Sequence, residues 1–309
     1  MKTLTRAALA GMLVLGACSR APEYRTYATP EEAVAALTAA VKAGKLEDVV
    51  AIFGPEGQTL IDSSDAATAR RNREVFTAAV TERWRLEEHR PDARTLVIGN
   101  EDWPFPVPLV REGARWRFDT AAGKEEILDR RIGRNELAVI RTCHTYVAAQ
   151  QLYAERGHDG GPAGVYAATF RSDPGRQNGL YWPPVHRGPR SPLGDLVAQA
   201  TIEARPIGQG GTEPAPFHGY YFRILTQQGA NASGGAKDYM VGGRLSGGFA
   251  LVAWPAQYGA TGVMTFLVGP DGVVREKDLG ADTATLGKQM TSYDPDASWT
   301  PAVGSAPRQ

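Results

Sequence analysis

Residues 217–226 read F-H-G-Y-Y-F-R-I-L-T, and after a glycine-rich turn the chain continues with K-D-Y-M-V-G-G-R-L (237–245), G-F-A-L-V-A-W-P-A-Q-Y-G (248–259) and T-G-V-M-T-F-L-V-G-P-D-G-V-V-R-E-K-D-L-G (261–280). Short alternating apolar runs between Gly, Pro and Asp punctuation predict an antiparallel meander over 217–282, one face packed and one face wet. Such a sheet needs a cover for its packed face. Upstream, Val139, Ile140, Cys143, Tyr146, Val147, Gln150 and Ala154 fall on one stripe at about 100° per residue, which predicts a helix over 135–154 as that cover. The helical pattern extends back to about Lys124, with a break expected near Gly133. Cys143 lies near the centre of the stripe and reads as a buried small hydrophobe. His144 points about 100° away from it on a helix, so the two cannot form a catalytic dyad by themselves.

The first 120 residues have a different plan. Thr29-Pro30-Glu31-Glu32 predicts a capped helix start, with Val34, Leu37 and Val41 on one face and Gly44 at the end. A second helix is expected over 46–53. A third helical pattern runs over 66–89, with Val75, Phe76, Ala79, Val80 and Trp84 on one side. Strands are then expected over 94–99, 103–111 and 114–119. Prolines 104, 106 and 108 confine the middle strand to an edge or an extended arm, because each removes a ladder donor. The fold class expected is α+β in two domains, residues 29–122 and 123–300, with a long loop over 157–216 and a tail over 301–309.

Residues 1–17 have a basic start (Lys2, Arg6), an apolar run from Ala7 to Leu15 and small residues before Cys18, the pattern of an export signal peptide too short to span a bilayer. Leu15-Gly16-Ala17-Cys18 resembles a bacterial lipobox, which implies lipidation of Cys18. An ordinary cleavable signal with an incidental cysteine is the plainer alternative. Ser19 in place of aspartate implies, by the lipoprotein sorting rule, the outer membrane facing the periplasm; 18–28 would then be a tether. With Cys18 acylated, Cys143 is left as the one free thiol. Lys plus Arg equals Asp plus Glu at 34 each, with the basic residues scattered, which argues against nucleic acid as a partner.

Searches for chemistry find no catalytic spacing. Gly280–Lys288 lacks phosphate-loop spacing, and Ser246 lies between glycines that suit a tight turn. The five histidines are dispersed, Asn231-Ala232-Ser233 reads as a turn, and no cofactor is implied. Asp159 alone among Gly157, His158, Gly160 and Gly161 is too few carboxylates for calcium, so no metal is expected there.

Several resemblances follow from these phrases. The opening P-E-E-A-V-A-A-L with the closing G-A-R-W-R-F-D resembles the α+β cone of the nuclear-transport-factor-two-like superfamily, which implies an interior lined by Trp103, Phe105, Trp116 and Phe118, either as packing or as a ligand pocket. R-N-E-L-A-V-I (134–140) followed by A-Q-Q-L-Y-A (149–154) resembles the second half of a type IV pilin or pseudopilin helix, which implies a helix under a C-terminal antiparallel sheet. The apolar N-terminal helix and processing site of pilins are missing, so fibre assembly does not carry over. At nearly full length the chain is similar to a family of exported bacterial proteins catalogued as a domain of unknown function, on phrases such as W-P-F-P-V-P-L-V-R and G-G-F-A-L-V-A-W-P-A-Q-Y-G.

The expected function is a noncatalytic, lipid-anchored cell-envelope protein that binds or assembles with an envelope protein partner. A periplasmic small-molecule carrier using the cone is the second expectation, and an envelope hydrolase the third. If the second half has a site, it is expected at the rim where the long loop meets the sheet, among Asp159, His218, Arg223, Lys237 and Asp238.

Overall fold

The computed structural model describes residues 24–58, 66–184, 188–194 and 216–303. The signal, Cys18 and part of the long loop expected over 157–216 lie outside these residues. Among the described residues no helix is long and apolar enough to cross a membrane. The fold is mixed helix and sheet, and the chain divides into two compact units, one up to Ile127 and one from Leu128.

The first unit has helices α1 (Pro30–Ala43), α2 (Leu46–Phe53) and α3 (Ala66–Glu82). Its strands are β1 (Trp84–Arg90), β2 (Ala93–Ile98), β3 (Trp103–Pro104), β4 (Leu109–Glu112) and β5 (Arg115–Phe118). The α1 start is the one its sequence specifies: Glu32 N–H donates to Thr29 Oγ1 at 3.2 Å, and the Glu32 carboxylate reaches back to Ala28 N–H at 3.0 Å. Gly44 closes the helix in the left-handed conformation. The sheet runs β1-β2-β4-β5, with β3 also on β2. Val34, Leu37, Ile52, Phe53, Leu96, Ile98, Leu109 and Phe118 bury the space between helices and sheet.

Four expectations change here. The third helix stops at Glu82, and residues 84–89, expected as its last turns, belong to β1, which pairs antiparallel with β2. Trp84 and Leu86 alternate with charged residues, and pairing with β2 outweighs the helical propensity of Arg, Leu and Glu. Val75, expected on the packed side of α3, is exposed. The strand expected over 103–111 is two short pieces, since the prolines interrupt its ladder. The end of the supposed tether is also docked. Tyr27 and Trp116 exchange backbone hydrogen bonds at 2.8 Å each, Arg115 binds Thr26, and Arg117 lies over the Tyr24 ring.

Helix α4 (Thr120–Ala154) is unbroken through Gly133. In the second unit it is followed by a five-stranded sheet in the order β15-β13-β12-β11-β6. These strands are β6 (Tyr220–Leu225), β11 (Ala250–Pro255), β12 (Met264–Val268), β13 (Arg275–Asp278) and β15 (Thr300–Pro301), all antiparallel. The meander is therefore present, with one departure. K-D-Y-M-V-G-G-R-L does not join the main sheet; it forms β8 (Lys237–Asp238), paired with β7 (Gln227–Gln228), which also pairs with β14 (Ser292–Tyr293), and the small β9 (Met240–Val241) and β10 (Arg244–Leu245) pair. β15 ends on Pro301, expected in the tail, and Ala302, also expected there, is buried beside it. The short helix α5 (Thr283–Gln289) lies against β11, where Gly287 leaves room for the Trp254 ring.

Replacing Thr29 by Ala removes the side-chain cap of α1 and is expected to cost about 1 kcal/mol, while Ser at the same position retains most of it. Urea unfolding of both variants checks this; equal losses for Ala and Ser would deny the cap its role.

Candidate functional site

The C-terminal half of α4 has two faces with different fates. Val139, Ile140, Cys143, Tyr146, Val147 and Gln150 are buried, as their spacing predicts. Burial pushes the Cys143 thiol up to about 12, which keeps it protonated and inert at neutral pH.

Polar groups on the same side fix the helix in rotation and register. Glu136 Oε1 accepts from Val263 N–H and Met264 N–H, both at 2.9 Å, and Asn135 Nδ2 donates to Thr261 O at 2.8 Å. Tyr220 Oη donates to Met264 O at 2.9 Å, next to the same carboxylate. Further along, Tyr146 Oη donates to Ala250 O at 3.1 Å. The Gln150 amide pairs with both backbone groups of Ala167, accepting at 2.9 Å and donating at 2.8 Å. Burial raises the Tyr146 and Tyr220 hydroxyls far above the ordinary phenol range, so both act as neutral donors.

With that face committed, the opposite face is defined. Leu137 and Leu152 are each 51 % exposed, Arg141 and Ala148 are exposed between them, and Arg134 is exposed one turn before Leu137. These five residues lie on one stripe, at i, i+3, i+7, i+14 and i+18 from Arg134. Sequence reasoning followed the apolar stripe that builds the core and passed over this one. Two leucines outside the core stripe, one on each side of its centre, were the available signal.

The rim residues each have separate partners. Asp159 accepts from Arg176 Nε at 3.0 Å and Gln177 N–H at 3.1 Å. His218 and Gly219, at φ of 48° and 74°, form the two-residue turn that joins Phe217 to Tyr220. Arg223 Nη1 donates to Lys288 O at 2.6 Å at the end of α5 and its guanidinium lies over the Trp254 ring. Lys237 lies over the Tyr239 ring, and Asp238 Oδ1 accepts from Met240 N–H at 2.7 Å. Among the described residues no group of three or more His, Cys, Asp or Glu is placed to hold a metal ion.

In the first unit, Phe105 makes ring contacts with Phe53, Phe76, Trp103 and Phe118, at centroid distances from 5.6 to 6.4 Å. Phe118 is fully buried, and Trp116 is buried with Arg94 over its ring. Trp103 is the exposed end of this chain of rings, 46 % accessible.

Comparison with known proteins places the whole described chain in one family. Residues 24–302 match the model of the family described as "Protein of unknown function (DUF2950)", and the chain belongs to it. Neither a curated protein nor a solved structure matches.

Two variants test the locking of α4. A Cβ at Gly262 would lie 1.9 Å from Tyr220 Oη, so Gly262→Ala is expected to cost about 1–3 kcal/mol in urea unfolding. Glu276, on β13, has its carboxyl pKa raised by burial and then by Glu136. The folded state thus holds this proton more tightly than the unfolded chain. The stability it contributes is fully present below the unfolded carboxylate pKa and is lost as pH rises through the folded value. Glu276→Gln is therefore expected to melt above the parent at pH 7, with the gap closing as pH falls to about 4. Thermal melts across that range check the sign, and a gap independent of pH would contradict it.

Proposed function

We propose that this member of a family without assigned chemistry is a noncatalytic, lipid-anchored protein of the bacterial cell envelope, and that its second unit is a protein-interaction module. The lipobox at Leu15–Cys18 supports the anchor, and Ser19 supports the outer membrane. The helix packed against an antiparallel meander supports a pilin-like plan for the second unit, and helices on an antiparallel sheet support a cone-like plan for the first.

One observation carries the interaction reading: the half-exposed leucines 137 and 152 on the outer face of α4. Glu136, Tyr146 and Gln150 prevent the helix from rolling to bury them. Covering their remaining exposed surface would contribute on the order of 1 kcal/mol each. Trp103 supports a second reading, in which the first unit carries a small apolar molecule against its exposed ring.

Full-length chain bearing a photoreactive residue at position 137 or 152, expressed in a Gram-negative envelope and fed an alkyne fatty acid, tests both parts. Fatty-acid label that Cys18→Ser abolishes, together with membrane-dependent cross-links from 137 and 152, is the expected result. Label that survives Cys18→Ser would end the anchor reading, and the absence of any adduct from either position would end the interaction reading.

A further inference from the structure

Four residue pairs on the outer face of α4 are disposed symmetrically about one midpoint, while exposed Gln151 on the same face has buried Ala138 as its counterpart. Arg134 and Glu155, Leu137 and Leu152, Arg141 and Ala148, and His144 and Thr145 are each equidistant from a point between His144 and Thr145. At about 100° per residue all eight fall in a stripe about 100° wide, opposite the buried stripe. The six outer members are exposed, and His144 and Thr145 are half-buried. Glu155 lies one residue past the helix, but its N–H still donates to Gln151 O at 3.1 Å, which keeps it on the helical path.

Two identical helices related by a twofold axis perpendicular to them run antiparallel, and residues equidistant from the axis then face each other. We propose that the occupant of this face is a second copy of this chain, with α4 packed antiparallel on α4 and the twofold axis between His144 and Thr145. The inference rests on the reading of this face as an interaction surface and names its partner.

The arrangement brings Leu137 of each copy onto Leu152 of the other. It also sets Arg134 against Glu155 of the other copy, so two opposite-charge pairs close the ends of the seam. Arg141 faces Ala148, whose small side chain leaves room for the long arginine stem. The intervals along the face, three, four and three residues on either side of the midpoint, are those of an antiparallel helix seam. The contact would extend along about 33 Å of helix axis. A parallel pair would instead set Arg134 on Arg134 and Arg141 on Arg141. Like charges directly opposed disfavour that register.

The experiment uses the full chain in envelope membranes, with cysteines at outer-face positions and a short bismaleimide; the parent, with buried Cys143, is the background control. Leu137→Cys combined with Leu152→Cys, and Thr145→Cys alone, are expected to give a covalent dimer at least tenfold above background. Leu137→Cys alone should give none, because its counterpart in the antiparallel pair is about 22 Å away along the axis. Arg134→Glu in the 137/152 cysteine pair is expected to reduce the dimer several-fold. Adding Glu155→Arg should restore it, a reciprocity that misfolding would not produce.

Dimer from Leu137→Cys alone equal to that from the pair would overturn the antiparallel register. Adducts with a different mass and no dimer would overturn the second copy while leaving an interaction face. Absence of every adduct would overturn both readings.

Discussion

One carboxylate and one amide decide how the second unit is built. Glu136 accepts two backbone N–H groups at the start of β12, and Gln150 satisfies both backbone groups of Ala167. Fourteen residues of helix separate them, nearly four turns, so they act on the same face. Each meets backbone polar groups that would otherwise be buried without partners, and losing such a partner costs more than an ordinary surface hydrogen bond contributes. Hydrophobic burial by Val139, Cys143 and Val147 holds the helix down. The polar contacts select one rotation for it, and that selection is what gives its outer face an identity.

Much of this was legible in the sequence because it is local. Thr29 and Glu32 declare a helix start within four residues, Gly44 declares its end, and a 3.6-residue period from Val139 to Gln150 declares a packed face. The Gly, Pro and Asp punctuation of 217–282 declared the meander for the same reason. Features set by long-range pairing were not legible. Residues 84–90 carry helix formers, and only register with β2 makes them a strand. K-D-Y-M-V-G-G-R-L alternates like a core strand, yet the main sheet pairs β6 directly with β11 and leaves this segment outside.

The candidate site was legible only in part, again for a physical reason. The rim residues Asp159, Arg223 and Asp238 were chosen for charge, and the structure commits their charges to nearby backbone or to an arginine. A charged side chain in sequence does not show whether a turn or a helix end will use it. The outer face of α4 has the opposite character. Its residues are ordinary one by one, and the pattern appears only once the inner face has been assigned.

If Cys18 carries a lipid, as proposed above, the docking of Tyr24, Thr26 and Tyr27 on β5 would set the height of the protein above the membrane. With Cys18 as the lipidated residue, six peptide steps join the acyl anchor to Tyr24, a reach of at most about 20 Å. Such a leash is shorter than the diameter of a typical small domain, so the first unit would ride close to the lipid headgroups. Copies held this way would share a thin layer instead of the full depth of the surrounding compartment. Encounters between them would become two-dimensional, and a modest pairing interface would gain from the raised effective concentration.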